Sequence, residues 1–426
     1  MTVGLSQAVF SLPSAERFFD NIVRDLVNQR SVLVLLPAGT DPGGAWSALG
    51  STLRREDCWP ETIWLTDLPC TASPAPALGS ALGVEWPSRS APHSTDNLAL
   101  SGNQPGVVLL QGLEMLAPDR QQQWLSWLPD WARASQNAGD RGIPAAALAV
   151  LAPAPIALPY AVASGPRLAV HWWWAFPSVL ETRILCRIAG GDVDLDEPRL
   201  WREHVLPSLA SGNSLLVEYL WEDVFQDTEH ILGRLRDIGR TCGWEAQELR
   251  AMGCDSLPSA NHADCSSPAP PSRWRQLWAC GALGWTPEYG LELNAAALAV
   301  LGRREKILHR LWRAQAGLIL PLIDQARLGL CELLTRRYGP GWPVRWSSPV
   351  SPDEQEEVRR NPLACQWGYI EHLLRNYPQF RSERVWLPLV SASRRARNQL
   401  AHYHPLTFAD FRHLLHELDS LPVTSS

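Results

Sequence analysis

Ser31-Val32-Leu33-Val34-Leu35-Leu36-Pro37-Ala38-Gly39-Thr40-Asp41-Pro42-Gly43-Gly44 decides the fold of the N-terminal half. An apolar run of strand length leads into a loop rich in Gly and Pro, and a helix is predicted to follow from Ala45 to Arg55. A strand without polar alternation is buried on both faces, as in a parallel sheet covered by helices. Similar runs recur at Thr62–Leu65, Gly106–Leu110, Ala146–Leu151 and Leu168–His171, with helical patterns at 14–29 and from about Pro118 to Ala134. This alternation predicts a doubly wound parallel α/β domain over residues 1–176 with helices on both faces. The polar, Pro-rich interval from Ala72 to Gln104 carries one short predicted helix near Ala77–Leu82.

Gly39-x4-Gly44 is the skeleton of a P-loop. A working P-loop continues with a lysine that reaches the β- and γ-phosphates and a hydroxyl that holds magnesium. Here the next residues are Ala45 and Trp46. Gly39, Gly43 and Gly44 could still present backbone amides to an anion. The third strand is placed like a Walker B strand, yet Gln111 stands where an aspartate should bind magnesium, with Glu114 three residues on. Residues 14–175 thus resemble the nucleotide-binding core of AAA+ or STAND ATPases with both motifs eroded. The missing lysine and aspartate exclude an active ATPase. Helical patterns at Val179–Ile188, Glu197–Leu209, Ser214–Phe225 and Thr228–Gly239 fill 177–252, where such a module carries a helical lid.

Residues 253–273, rich in Ser, Pro and Asn, read as a linker. Cys242, Cys254, His262 and Cys265 lie in or beside it, but without a Cys-x2-Cys pair they read as loop thiols and not as a zinc knuckle. Residues 274–302 read as a small winged-helix-like element with its turn at 283–290.

The chain has 426 residues, 46% hydrophobic and 19% charged, which is a globular composition of several domains. It shows no apolar run long enough for a membrane span. Its N-terminus lacks a secretory pattern, and nine cysteines without a repeated spacing suit a reducing cytoplasm. Lys306 is the only lysine. Among 21 tryptophans, Trp172-Trp173-Trp174 is expected to pack between domains. From Leu301 onward there are 18 Arg plus Lys against 12 Asp plus Glu, while the whole chain is at −6. That local basic excess suits a polyanionic partner.

Residues 303–426 read as a helical bundle: a long helix from Arg303 to about Arg337 that Pro321 should kink, then shorter helices at Pro352–Arg359, Ala364–Asn376, Pro388–Tyr403 and Thr407–Leu418. Near the end of the fourth lies Arg394-Arg395-Ala396-Arg397-Asn398-Gln399-Leu400-Ala401-His402-Tyr403-His404. The Arg397-Asn398-x3-His402 spacing and the longest-helix-first plan resemble HEPN domains. That resemblance implies a dimer through the helical domain and a metal-independent endoribonuclease site without cofactor, in toxin or antiviral-defence biology. His402 would transfer the proton, Arg397 would stabilise the phosphorane, and Asn398 would orient one of them. Arg394, Arg395 and His404 would hold flanking RNA. The second reading is a non-catalytic scaffold subunit whose bundle mediates dimerisation or partner binding.

Overall fold

The computed structural model describes residues 5–70, 72–86, 93–157, 163–174, 177–190, 197–221, 227–258, 269–345 and 352–420. The chain divides into two compact units. Unit 1 comprises Met1–Gly191, Ala210–Trp221 and Arg240–Ala297; unit 2 comprises Asp192–Leu209, Glu222–Gly239 and Leu298–Ser426. The helices over 177–252, read from sequence as one lid, are therefore shared between the units. Of the expected linker, residues 259–268 lie outside the described residues, His262 and Cys265 among them.

In unit 1 the chain runs through α1 (Pro13–Val27), β1 (Ser31–Leu36), α2 (Pro42–Arg55), β2 (Glu61–Trp64), β3 (Val107–Gln111), α3 (Pro118–Gly139), β4 (Ala147–Pro153) and β5 (Leu168–Trp172). The five strands form one parallel sheet in the order β2-β3-β4-β1-β5. All six residues of β1 are buried, as its unbroken apolar run requires. It sits between β4 and β5, with Val32 opposite both Ala149 and Ala169. The edge strand β2 is short and presents Glu61 and Thr62 to solvent, which discourages pairing with another chain. Between β2 and β3, among the described residues, lie two short α-helices, Pro74–Ala81 and Thr95–Ala99. The second has no apolar periodicity and was not predicted; the Ser94 hydroxyl caps it by accepting from Asn97 N at 3.3 Å.

The tryptophan triplet packs within unit 1. Trp173 lies 5.0 Å from the Phe10 ring and 5.2 Å from that of Phe18, and its carbonyl accepts from the Trp278 indole at 3.1 Å. Trp278 lies in the short helix Arg275–Ala279, and a hairpin follows: β6 (Leu283–Thr286) antiparallel to β7 (Gly290–Leu293). The turn expected at 283–290 is this hairpin. Gly284 in β6 lies against the chain at Ser211, so that a Cβ there would run into the Ser211 carbonyl oxygen.

Unit 2 is helical. Its axis is α4 (Arg304–Tyr338), a single helix of 35 residues that continues through Pro321. Ile307, Leu311, Ile319, Ile323, Leu330 and Leu334 are its buried face. After the helix Pro352–Arg360 come α5 (Trp367–Asn376), α6 (Leu387–Ala401) and α7 (Phe408–Asp419). The Thr407 hydroxyl caps α7 by accepting from Asp410 N at 3.1 Å. Trp201 packs its ring 4.9 Å from that of Phe411. Among the described residues no helix is long and apolar enough to cross a membrane.

Gly284→Ala is expected to lower the stability of unit 1 by roughly 1–3 kcal/mol, the usual cost of overpacking against an atom that cannot retreat. A urea-unfolding midpoint equal to that of the parent would refute this close approach of backbone to backbone.

Candidate functional site

Two loops carry the residues singled out from sequence, one in each unit. In unit 1, helix α2 starts at Pro42, three residues before the predicted Ala45. Asp41 is its N-cap: one carboxylate oxygen accepts from Gly43 N at 2.9 Å and the other from Gly44 N at 3.0 Å. The amides that a phosphate would use are therefore bound to the chain's own carboxylate. Gly39 is in the left-handed region with φ of 84°, and a Cβ there would meet Leu215 Cδ2 at 2.7 Å. Ala38 N donates to Ala279 O at 2.8 Å. One cavity beside this loop, lined in part by Pro37–Thr40, Trp174 and Trp285, measures about 50 Å³, and another, lined in part by Gly44, Ser47 and Arg55, measures about 350 Å³. Small-molecule pockets run to about 300–1,000 Å³. Gln111 ends β3, which β4 separates from β1. The Glu114 carbonyl accepts from Gln121 Nε2 at 3.3 Å, while its buried Oε2 has no hydrogen-bond partner.

In unit 2 the Arg–His stretch lies where α6 ends. The last helical residue is Ala401 and His402 is the C-cap. Tyr403 N donates to Leu400 O at 3.1 Å and His404 N donates to Gln399 O at 3.0 Å, the paired bonds of a Schellman turn. That turn normally needs glycine in the left-handed position; here it is Tyr403, with φ of 60°. Holding a non-glycine residue there costs about 1–3 kcal/mol. Two side chains from α4 hold the turn. The Trp312 indole donates to Leu400 O at 2.6 Å. The buried Gln315 amide grips Leu406 twice, donating to its carbonyl at 3.1 Å and accepting from its N–H at 2.7 Å. With the backbone fixed in this way, Arg395, Arg397, Asn398, His402 and His404 all stand exposed. Arg397 Nη1 reaches Asn398 Oδ1 at 3.5 Å.

No protein-family model matches the chain, and no curated protein matches it. Among solved structures it is similar to a chain in the structure of Drosophila ORC bound to poly(dA/dT) DNA and Cdc6. The identity is 13%, the match covers 99% of this chain and 71% of that one, and the TM-score is 0.30. At that score the likeness carries no activity across. Among the described residues no group of three or more His, Cys, Asp and Glu is placed to hold a metal ion.

Arg394 is placed differently from its neighbours. Its Nη1 donates to Glu371 Oε2 at 2.7 Å, and the other oxygen of Glu371 accepts from Arg375 Nη2 and Ser391 Oγ, both at 2.7 Å. The guanidinium expected to hold a flanking phosphate instead joins α6 to α5. Burial works against the Glu371 charge, but the bonds from Arg394, Ser391 and Arg375 outweigh it and pull its pKa down to about 2. Sequence reasoning missed Glu371, and its only signal was the Glu371–Arg375 spacing on one helix face.

Two outcomes follow from these geometries. A carboxyl depressed in the folded state stabilises it above the unfolded pKa, and the contribution disappears as pH falls toward the folded value. The melting temperature should therefore fall between about pH 4.5 and 2, with ~1–3 kcal/mol at stake after allowance for the half-exposed arginines. Glu371→Gln should flatten that part of the profile; an unchanged acid limb would contradict the assignment. Magnesium–ATP should release no phosphate with the parent protein. Asp41→Ala should cost about 1 kcal/mol of stability as a lost cap and still give no turnover. Magnesium-dependent phosphate release by either protein would sink this reading of the loop.

Proposed function

We propose that unit 2 is a metal-independent endoribonuclease of the HEPN type, active at Arg397, Asn398 and His402. Unit 1 then serves as a P-loop-like regulatory module that no longer answers to nucleotide. The observation that carries this reading is the exposure of Arg397 and His402 on a helix end whose Gln399 and Leu400 carbonyls are already paired by Trp312 and the Schellman bonds. Side chains needed for capping or packing would be turned inward. These are turned out and left available.

Cleavage of RNA without metal requires the 2′-hydroxyl to lose a proton, the 5′-oxygen to gain one, and the pentavalent phosphorane to be stabilised in between. An imidazole can serve as base or acid near neutral pH. A guanidinium pairs with two phosphate oxygens and keeps its charge throughout. His402 therefore moves the proton and Arg397 bears the developing charge, with Asn398 beside the guanidinium to steady it. One protomer supplies one motif histidine; a symmetric pair supplies the base and the acid together. Arg395 and His404 are the flanking RNA contacts, while Arg394 acts through Glu371 as a structural residue. A role in toxin or defence biology follows from the HEPN resemblance.

Purified protein should cleave RNA in EDTA. His402→Ala and Arg397→Ala should each lower the rate by about 10²–10⁴-fold. Because both side chains are exposed, their melting temperatures should match the parent's. A parent that cleaves no RNA, together with a His402→Ala variant that loses stability or assembly, would establish the scaffold reading in place of the nuclease.

A further inference from the structure

Beside the Arg397–His402 helix end, three aromatic rings follow one another across the surface of unit 2. The Tyr403 ring lies 4.7 Å from the Trp312 ring at an interplanar angle of 50°. Trp312 in turn lies 5.2 Å from His309 at 39°. The outer members are open to solvent, Tyr403 being 65% exposed. An aromatic residue that merely filled a core would be covered. Glycine adopts the left-handed conformation past a helix end without strain, although Gln29 and Asp57 also take it in this chain. At this position the chain holds a tyrosine that is largely exposed while its ring lies beside Trp312. Arg395 and Arg397 are exposed near the end of α6, His402 and His404 flank Tyr403 in the chain and are exposed too, and exposed Lys306 lies one turn before His309 on α4. π-faces interleaved with cations match a chain of flat bases joined by phosphates. In a duplex the base faces are already stacked on one another, so only an unpaired strand can offer one.

We propose that Tyr403, Trp312 and His309 form a stacking platform for an unpaired base of single-stranded RNA, next to the phosphate that Arg397 and His402 engage. This deepens the nuclease reading and rests on it for the choice of RNA. The platform itself is measured by binding alone.

The probe is a short, fluorescently labelled single-stranded RNA of mixed sequence, followed by anisotropy with the full-length protein. Its controls are the same strand with abasic sugars, its duplex, and single-stranded DNA of the same sequence. Tyr403→Gly should weaken binding of the intact strand by about 5–100-fold, the scale of one lost base stack. The slope of affinity against salt should be unchanged, because no phosphate contact is removed. Its melting temperature should hold or rise, since glycine relieves the backbone, and Tyr403→Phe should bind like the parent. Trp312→Leu also removes the cap on Leu400, so Tyr403→Gly is the deciding variant. The proposal is overturned if Tyr403→Gly binds like the parent, if the abasic strand or duplex binds as tightly as the intact strand, or if the parent binds no single-stranded RNA. Equal affinity for DNA would overturn RNA as the ligand class. Failure of the nuclease reading has a different signature: no cleavage, with the Tyr403-dependent binding still present.

Discussion

An α-helix leaves four N–H groups unpaired at its start and four carbonyls at its end, and each must find a partner. In this chain the choice of partner decides what each helix end can do. At the start of α2 the partner is Asp41, whose two oxygens take the amides of Gly43 and Gly44. The chain's own carboxylate thus takes the amides that an incoming phosphate would need. At the end of α6 the partners are backbone N–H groups of the turn and the Trp312 indole. None of the motif's polar side chains is needed there, so they stay outside. One helix end is therefore paired by its own side chain, and the other leaves its polar side chains in solvent.

What the sequence made legible follows the same physics. β1 was readable residue for residue because an unbroken apolar run admits few alternatives. α2 starts three residues before the glycine spacing suggests, because Asp41 caps it ahead of Gly43 and Gly44. Asp41-Pro42 is itself a helix-start signal, an N-cap acid followed by proline at the first position. Thr95–Ala99 escaped because a helix of five residues has too little length to show a period. The Arg–His stretch and its helix were readable to within two residues, but its surroundings were not. Trp312 meets Leu400 across 88 residues, Gln315 meets Leu406 across 91, and Arg394 meets Glu371 across 23. No local pattern encodes such pairings, nor does any signal single out a tyrosine for the left-handed position.

Exposure also sets a limit on the chemistry. Two unit charges about 4 Å apart attract by about 1 kcal/mol in water and about 4 kcal/mol at the effective dielectric of a partly covered protein surface. Removing one positioned group from a preorganised oxyanion site typically costs about 2.7–4 kcal/mol. An Arg397 that faces bulk water falls short of that range, and one from which water is excluded reaches it. Some surface must therefore close over the helix end before the guanidinium can act at full strength. In the proposed nuclease RNA would cover one side, and a base stacked on Tyr403 would extend that cover. A second copy of the helix end would cover the other side and bring the missing histidine with it. In the proposed nuclease the same closure would answer two separate needs, exclusion of water and supply of an acid to match the base, and that is the physical argument for a symmetric pair at this helix end.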